Sequence, residues 1–451
     1  MLTIGMAPVA LRWPNAPPMR VIRSPIWRGR EEVDVFYRED DSPLSRRLAN
    51  MMEASPALRS PEYRPTPWAR TSKANFALAT VRSRLGAVRR RMEPPLTGRY
   101  TMCEDPDVVV EWTKDPVAYN LPADAPIVIF LHTITGSADQ TRWLKKYASQ
   151  RGWRSCTFVR RGHGGPLNAP SFNLLGEVAD VDMQLAAVQR THPEAKFTAM
   201  VGVSAGSAQL ISYLGRAGNS TPVGAACAIC PAWDVPLAFG ALGDAEPLAE
   251  QAMVGGIKKK FLRGENEAVL RTWDADAFER CVNASSLPEF MAAHAPFALR
   301  DREATADDYY AAHDPMADRQ GVAVPTLLLN AEDDFVCPAE LARPDVIVDE
   351  QPGALLLVTK SGSHVAFNEG PLARGAFHLR ISFDFLDAAM ATAPPRARAA
   401  QRTEMRGVVV PTRQPQRASA REDGVGDGVG VDGGEDPSAT PRSLRGVELG
   451  A

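Results

Sequence analysis

Between about residues 100 and 391 the chain alternates short, unbroken apolar runs with amphipathic stretches of helical period. The runs at 108–112, 127–131, 155–159, 197–201, 223–230, 325–330 and 354–358 predict strands. Ile127-Val-Ile-Phe-Leu131 shows no polar alternation, which is the pattern of a strand covered on both faces. Helical patterns fall between the runs at 143–151, 177–191 and 208–215, and another closes the region at 374–391. Alternation of this length predicts the α/β class, with a mostly parallel central sheet and helices on both faces. From 236 to 320 the strands stop and helical patterns take over. That segment predicts a helical cap inserted into the sheet's connections.

The flanks have another character. Residues 1–95 are rich in Pro and Arg, with helical patterns only at 44–53 and 73–92, and predict a partly helical arm. Ser42 and Pro43 stand where an N-cap and a first helical residue belong. Residues 392–451 are rich in Arg, Pro, Gly and Ala and include Gly424-Val-Gly-Asp-Gly-Val-Gly-Val-Asp-Gly-Gly434. Such a segment buries too little apolar surface to offset its ordering entropy, so it predicts a disordered tail. The compact unit is then 96–391, with its cap at about 236–320. Truncation after about residue 391 is expected to keep both activity and melting temperature, which a thermal melt of the shortened chain checks.

Composition narrows the function classes. With 45% hydrophobic and 23% charged residues, the chain is not wholly disordered. A net charge of −3 gives no electrostatic footprint of a nucleic-acid binder. No window of 18 apolar residues predicts a transmembrane helix. Residues 1–30 hold five arginines and no acid, a pattern that suits an organelle transit peptide or an irregular arm. Scarce Ser and frequent Pro favour the arm, and the expected compartment is intracellular, the cytoplasm before an organelle.

Six cysteines are too few for a disulfide scaffold. Cys227-Ala-Ile-Cys230 has CxxC spacing, but positions i and i+3 of a strand face opposite sides. The pair is therefore expected to pack in the core, without a metal or a disulfide between them. Arg161-Gly-His-Gly-Gly165 lacks the Gly-Lys-Ser/Thr ending of a phosphate loop and reads as a turn, so no cofactor is expected. Lys258-Lys-Lys-Phe-Leu-Arg263 reads as a solvated cap-helix face, with peripheral contact to anionic lipid as the alternative.

The chemistry concentrates at Ala199-Met-Val-Gly-Val-Ser-Ala-Gly-Ser207. A strand runs straight into G-x-S-x-G and a helix follows, the context of a nucleophile elbow with Ser204 at its tip. Gly202 and Gly206 leave room for close strand–helix packing, and the helix N-terminus aims N–H groups at developing negative charge. Such a serine needs a base and an orienting acid, in the order Ser, Asp, His. Of the histidines after Ser204, His364 lies in a small-residue loop just beyond the 354–358 strand, where sites of open parallel sheets lie. His294, His313 and His378 fall in the cap or the last helix. For the acid, Glu332, Asp333 and Asp334 compete beyond the 325–330 strand; Asp334 is preferred and Asp333 is the reserve. The oxyanion hole is assigned to the N–H groups of Ala205 and Ile134, with His132 shaping the loop.

These segments resemble one branch of the α/β hydrolases. The resemblance rests on Leu131-His-Thr-Ile-Thr-Gly136, Arg160-Arg-Gly-His-Gly-Gly165, Gly202-Val-Ser-Ala-Gly206, Ala331-Glu-Asp-Asp334 and Gly362-Ser-His-Val-Ala-Phe367, and covers about 60–391. The branch holds the bacterial YheT-type hydrolases, the plant embryogenesis-associated proteins, and animal and fungal acylglycerol lipases, phospholipases and ester synthases. It implies the α/β-hydrolase fold, with Ser204 as nucleophile, Asp334 as acid and His364 as base. Thr133, Phe335 and Ser363 depart from the Gly, Pro and Gly usual in the branch. The expected activity is hydrolysis of carboxylic esters, small-molecule or lipid, such as acylglycerols. Acyl transfer to an alcohol is the alternative, and a non-catalytic binding module on the same fold is the third reading.

Overall fold

The computed structural model describes residues 19–23, 30–91 and 100–394. Ten strands form one sheet: β1 (Met19–Arg23), β2 (Val33–Arg38), β3 (Tyr100–Met102), β4 (Val109–Trp112), β5 (Ile127–Leu131), β6 (Arg154–Val159), β7 (Thr198–Val203), β8 (Ala225–Ile229), β9 (Thr326–Ala331) and β10 (Ala354–Thr359). Their order is β1-β2-β10-β9-β8-β7-β5-β6-β4-β3. The six central strands, β6-β5-β7-β8-β9-β10, pair in parallel. The two strands at each edge pair antiparallel. The fold class read from the sequence is thus the observed one.

Alternation across the pleat builds two cores. Val128 and Phe130 of β5 pack on one face, under helices Pro43–Ala54, Arg142–Gln150 and Phe377–Ala391. Ile127, Ile129 and Leu131 pack on the other, against helices Val178–Thr191 and Ala205–Ala217. Ser42 caps its helix, its side chain accepting from the Ser45 N–H at 3.2 Å, with Pro43 at the first position.

Between β8 and β9 the chain is helical, from Val235–Ala245 through Pro315–Asp318. No helix among the described residues is long and apolar enough to cross a membrane. The tail expected from residue 392 lies outside the described residues from 395 onward, as does most of 1–30.

Two expectations from the sequence need revision. The 1–95 segment, read as a partly helical arm, also supplies β1 and β2, and β2 pairs antiparallel with β10 from Val33↔Thr359 to Tyr37↔Leu355. That partner stands more than 300 residues away in the chain, so no local pattern announces the pairing. The second revision concerns Cys227 and Cys230, which were expected to face opposite sides. β8 ends at Ile229, Cys230 turns off with φ 49°, and both cysteines join the same apolar cluster. Both thiols are free and buried.

Candidate active site

β7 ends on Val203, and Ser204 turns the chain at φ 55° and ψ −121° before helix Ala205–Ala217 begins. Holding a non-glycine residue there costs about 1–3 kcal/mol. The surroundings enforce it: the Ser204 N–H donates to Ile229 O at 2.8 Å, and Ser207 Oγ donates to the same carbonyl at 2.8 Å. The flanking glycines are sterically required. A Cβ at Gly202 would stand 2.4 Å from Gly206 O, and one at Gly206 would stand 2.4 Å from Leu131 O.

Ser204 Oγ lies 2.8 Å from His364 Nε2. His364 Nδ1 lies 2.9 Å and 3.1 Å from the two carboxylate oxygens of Asp334. Asp334 Oδ1 also accepts from the N–H groups of Val336 and Cys337, at 2.8 Å and 2.9 Å. The carboxylate is thereby oriented from three sides, and its side chain is closed to solvent. Ser204, Asp334 and His364 thus come together from the ends of β7, β9 and β10.

The two other acids weighed for this role lie apart from the imidazole. Glu332 accepts from Lys360 at 2.5 Å. Asp333 Oδ1 accepts from the Ser363 N–H at 2.7 Å, and Asp333 O from Ser72 Oγ at 2.6 Å. Asp333 therefore ties the base loop to helix Ser72–Arg91. Glu31 does the same from the N-terminal segment, accepting from the N–H and, at 2.6 Å, the hydroxyl of Ser361.

Burial is the main force that pushes Asp333 up to about 7, with the nearby charges of Asp334 and Glu31 adding to it. An acid whose folded-state pKa is raised stabilises the fold fully below its unfolded value of about 3.9, and that stability is lost as pH rises to about 7. Asp333→Asn keeps the acceptor for Ser363 and mimics the protonated acid. It should raise the melting temperature above pH 7 by a few degrees and change it little near pH 4. Equal shifts at both pH values in paired thermal melts would contradict this assignment.

The loop after β5 is the other half of the site. His132 Nε2 lies 3.3 Å from the Arg160 backbone nitrogen, and its Nδ1 lies 3.0 Å from Thr133 O and 2.8 Å from Arg160 Nη2. Burial and Arg160 hold the His132 pKa far below its usual value, so the ring stays neutral and shapes the loop. Ile134 and Ala205 are buried in one apolar cluster with the cap. Ala205 opens its helix, so its N–H has no intrahelical acceptor. Neither it nor the Ile134 N–H donates to a backbone carbonyl elsewhere among the described residues.

A sequence model of the alpha/beta hydrolase fold matches residues 126–371, which spans every residue of this site except the supports Glu31 and Ser72. The chain belongs to the alpha/beta hydrolase fold family. Among curated relatives, the mouse phospholipase ABHD3 is 26% identical over 324 residues, covering 68% of this chain and 74% of that protein. The Escherichia coli putative esterase YheT is 26% identical over 316 residues, covering 66% and 86%. The Picea glauca embryogenesis-associated protein EMB8 is 24% identical over 267 residues, covering 55% of each. They are the branch of α/β hydrolases that the motifs resemble.

The departures from that α/β-hydrolase branch now have physical readings. Thr133 does not hold a positive φ, so its backbone does not demand the usual glycine. Ser363 does, at φ 51°, and is held there by Asp333. Phe335 packs edge-on against Phe76 at 5.2 Å, joining the acid loop to the helix that Ser72 opens.

Cys230, Asp334 and His364 present donor atoms within 4.8 Å of one another. Burial, with the Asp334 charge beside it, keeps the Cys230 thiol protonated, so it is a poor metal ligand, and the other two are already paired. His294, His313 and His378 are buried packing residues. His313 Nδ1 lies 2.7 Å from Tyr309 O.

Sequence reasoning missed Arg160 and Lys260. Arg160 stands just before Arg161–Gly165, the segment read as a turn, and its guanidinium is buried under the loop after β5. The Lys258–Lys260 run read as a solvated face. Only Lys259 is exposed; Lys258 donates to Val282 O at 2.7 Å, and Lys260 turns inward to Thr135 O at 3.2 Å.

Proposed function

We propose that this protein hydrolyses carboxylic esters through an acyl-enzyme on Ser204, with lipid esters or acylglycerols as the substrate class. The observation that carries the reading is the relay from Ser204 Oγ to His364 Nε2, at 2.8 Å, and on to Asp334, at 2.9 Å, on a strained elbow. His364 takes the serine proton as Ser204 attacks the carbonyl, then gives it to the leaving alcohol. Asp334 keeps the imidazole proton on Nδ1 and stabilises the imidazolium. The N–H groups of Ala205 and Ile134 receive the oxyanion. Water, activated by His364, releases the acid and restores Ser204.

The lipid side of the reading rests on the cap. Phe261, Leu262, Leu270, Phe278, Phe290 and Met291 are buried in the cluster that reaches Ile134 and Ala205, so the oxyanion elements border an apolar region. The phospholipase and esterase names of the relatives support the same class. In this reading 96–391 is the catalytic unit, with β1 and β2 as added edge strands. All six cysteines are unpaired, which supports a reducing compartment such as the cytoplasm.

Fluorophosphonate labelling of the purified protein tests the proposal. The wild type should label and Ser204→Ala should not. An unlabelled wild type, or equal labelling of both, overturns it.

A further inference from the structure

The loop His132–Gly136 has five backbone carbonyls: four receive a side-chain donor and the fifth, Ile134 O, faces a ring nitrogen of His163. Arg160 Nη2 donates to His132 O at 2.6 Å and also reaches Thr133 O. His163 Nε2 lies 3.0 Å from Ile134 O. Lys260 Nζ donates to Thr135 O at 3.2 Å and to Gly136 O. The two ends of the loop are linked, because the Gly136 N–H donates to Thr133 O at 2.8 Å.

A trans peptide points its N–H opposite to its C=O. Drawing Thr133 O toward Arg160 therefore turns the Ile134 N–H to the other side, the side of Ser204 in the proposed oxyanion hole. The turn that carries this peptide closes on Gly136, and Lys260 holds Gly136 O. Arg160 and His163 come from the segment after β6, inside the hydrolase core. Lys260 alone comes from the cap, near the end of helix Pro247–Phe261. Its neighbour Phe261 seats that helix, stacking on Phe172 at 4.9 Å and meeting His163 edge-on at 4.8 Å.

The charges add a second effect. Among the described residues no carboxylate lies within ion-pair distance of Lys260 or Arg160. The groups that face Lys260 are Arg160, His132 and His163, with both imidazoles held neutral by burial. Two cations without counter-ions thus stand behind the oxyanion loop. Their field acts on a negative charge formed in the transition state and hardly at all on a neutral ester.

We infer that Lys260 is a positioning residue for the oxyanion loop, so that the cap contributes to stabilising the transition state as well as covering the site. The inference rests on the ester-hydrolase reading above. Burial, and then the charge of Arg160, push the Lys260 ammonium down to about 7. Below that pH the charge is present; as pH rises through it, the charge is lost and the advantage it confers should fade.

The test compares wild type, Lys260→Met, Lys260→Arg and Lys259→Met on p-nitrophenyl butyrate from pH 6 to 9, with melting temperatures for each. At pH 6, Lys260→Met should lose about tenfold or more in kcat, within the range for groups serving an oxyanion hole, at nearly unchanged KM. The ratio of wild-type to Lys260→Met kcat should shrink between pH 6 and 9, a comparison that cancels titration shared by both. Lys260→Arg should restore most of kcat at pH 6 and keep it at pH 9, because a guanidinium does not lose its proton there. Lys259→Met, altering the exposed neighbour, should match wild type. A Lys260→Met kcat within twofold of wild type at pH 6, or a ratio that does not change with pH, overturns the inference. If Lys260→Met does not fold, Lys260→Arg decides: the ratio of its kcat to that of wild type must rise between pH 6 and 9. A wild type inert toward both the ester and fluorophosphonate would instead overturn the parent reading, so the two failures are distinguishable.

Discussion

Ser204→Ala and His364→Ala are each expected to lower ester turnover by about 10⁴-fold or more, while the melting temperature stays close to that of wild type. The size of the effect follows from the geometry. Ser204 Oγ meets His364 Nε2 at 2.8 Å, and no other side chain within hydrogen-bond reach of that hydroxyl replaces either partner among the described residues. The double variant should be little worse than either single one, because the two groups act as a unit. Asp334→Asn should also be severe. It leaves an acceptor for the Val336 and Cys337 N–H groups but sets an amide against His364 Nδ1, favouring the wrong tautomer. Asp333→Asn should be mild by contrast, since its role is to hold the Ser363 N–H. Steady-state kinetics on the four single variants checks the set. A silent Asp334→Asn beside a crippling Asp333→Asn would mean that the wrong acid has been assigned.

From acetyl to octanoyl p-nitrophenyl esters, kcat/KM is expected to rise about a hundredfold, with no comparable activity on peptides. Each buried methylene stabilises the bound chain by about 0.8 kcal/mol. Four methylenes received by the apolar region beside Ile134 and Ala205 would supply about 3 kcal/mol, which is that hundredfold. Rates measured across the ester series decide it. A flat or falling profile would contradict the lipid-ester reading and favour a hydrolase of small esters. If acyl transfer is the true reaction, added ethanol should divert the acyl group to ethyl ester well beyond ethanol's share as a nucleophile.

Much of this site was legible because its signals are short-range. Gly202-Val-Ser-Ala-Gly206 is a steric requirement written within five residues: the φ of 55° at Ser204 and the close packing of strand on helix both need small neighbours. His364 and Asp334 were reachable by topology, since each follows a recognisable apolar run that ends at the same edge of a parallel sheet. The preference for Asp334 over Asp333 was only a preference at the level of sequence. The two are adjacent in the chain, and the loop's conformation alone sends one toward the imidazole and the other toward Ser363.

By itself, then, the sequence determined the α/β class, the central parallel strands, the elbow and the chain order of Ser204, Asp334 and His364. These depend on apolar runs, glycine sterics and chain order, all of which act between near neighbours or along a single strand. Only the tertiary structure decided the rest. β2 joins the sheet, between β1 and β10, because β10 offers it unpaired backbone groups, a partner that its own residues do not encode. Cys230 shares a face with Cys227 because the chain leaves β8 after Ile229. Arg160 and Lys260 look like surface charges in the sequence and are turned inward by the packing of sheet and cap. There they meet carbonyls of the 132–136 loop, and polar groups taken out of water cost free energy until they are paired.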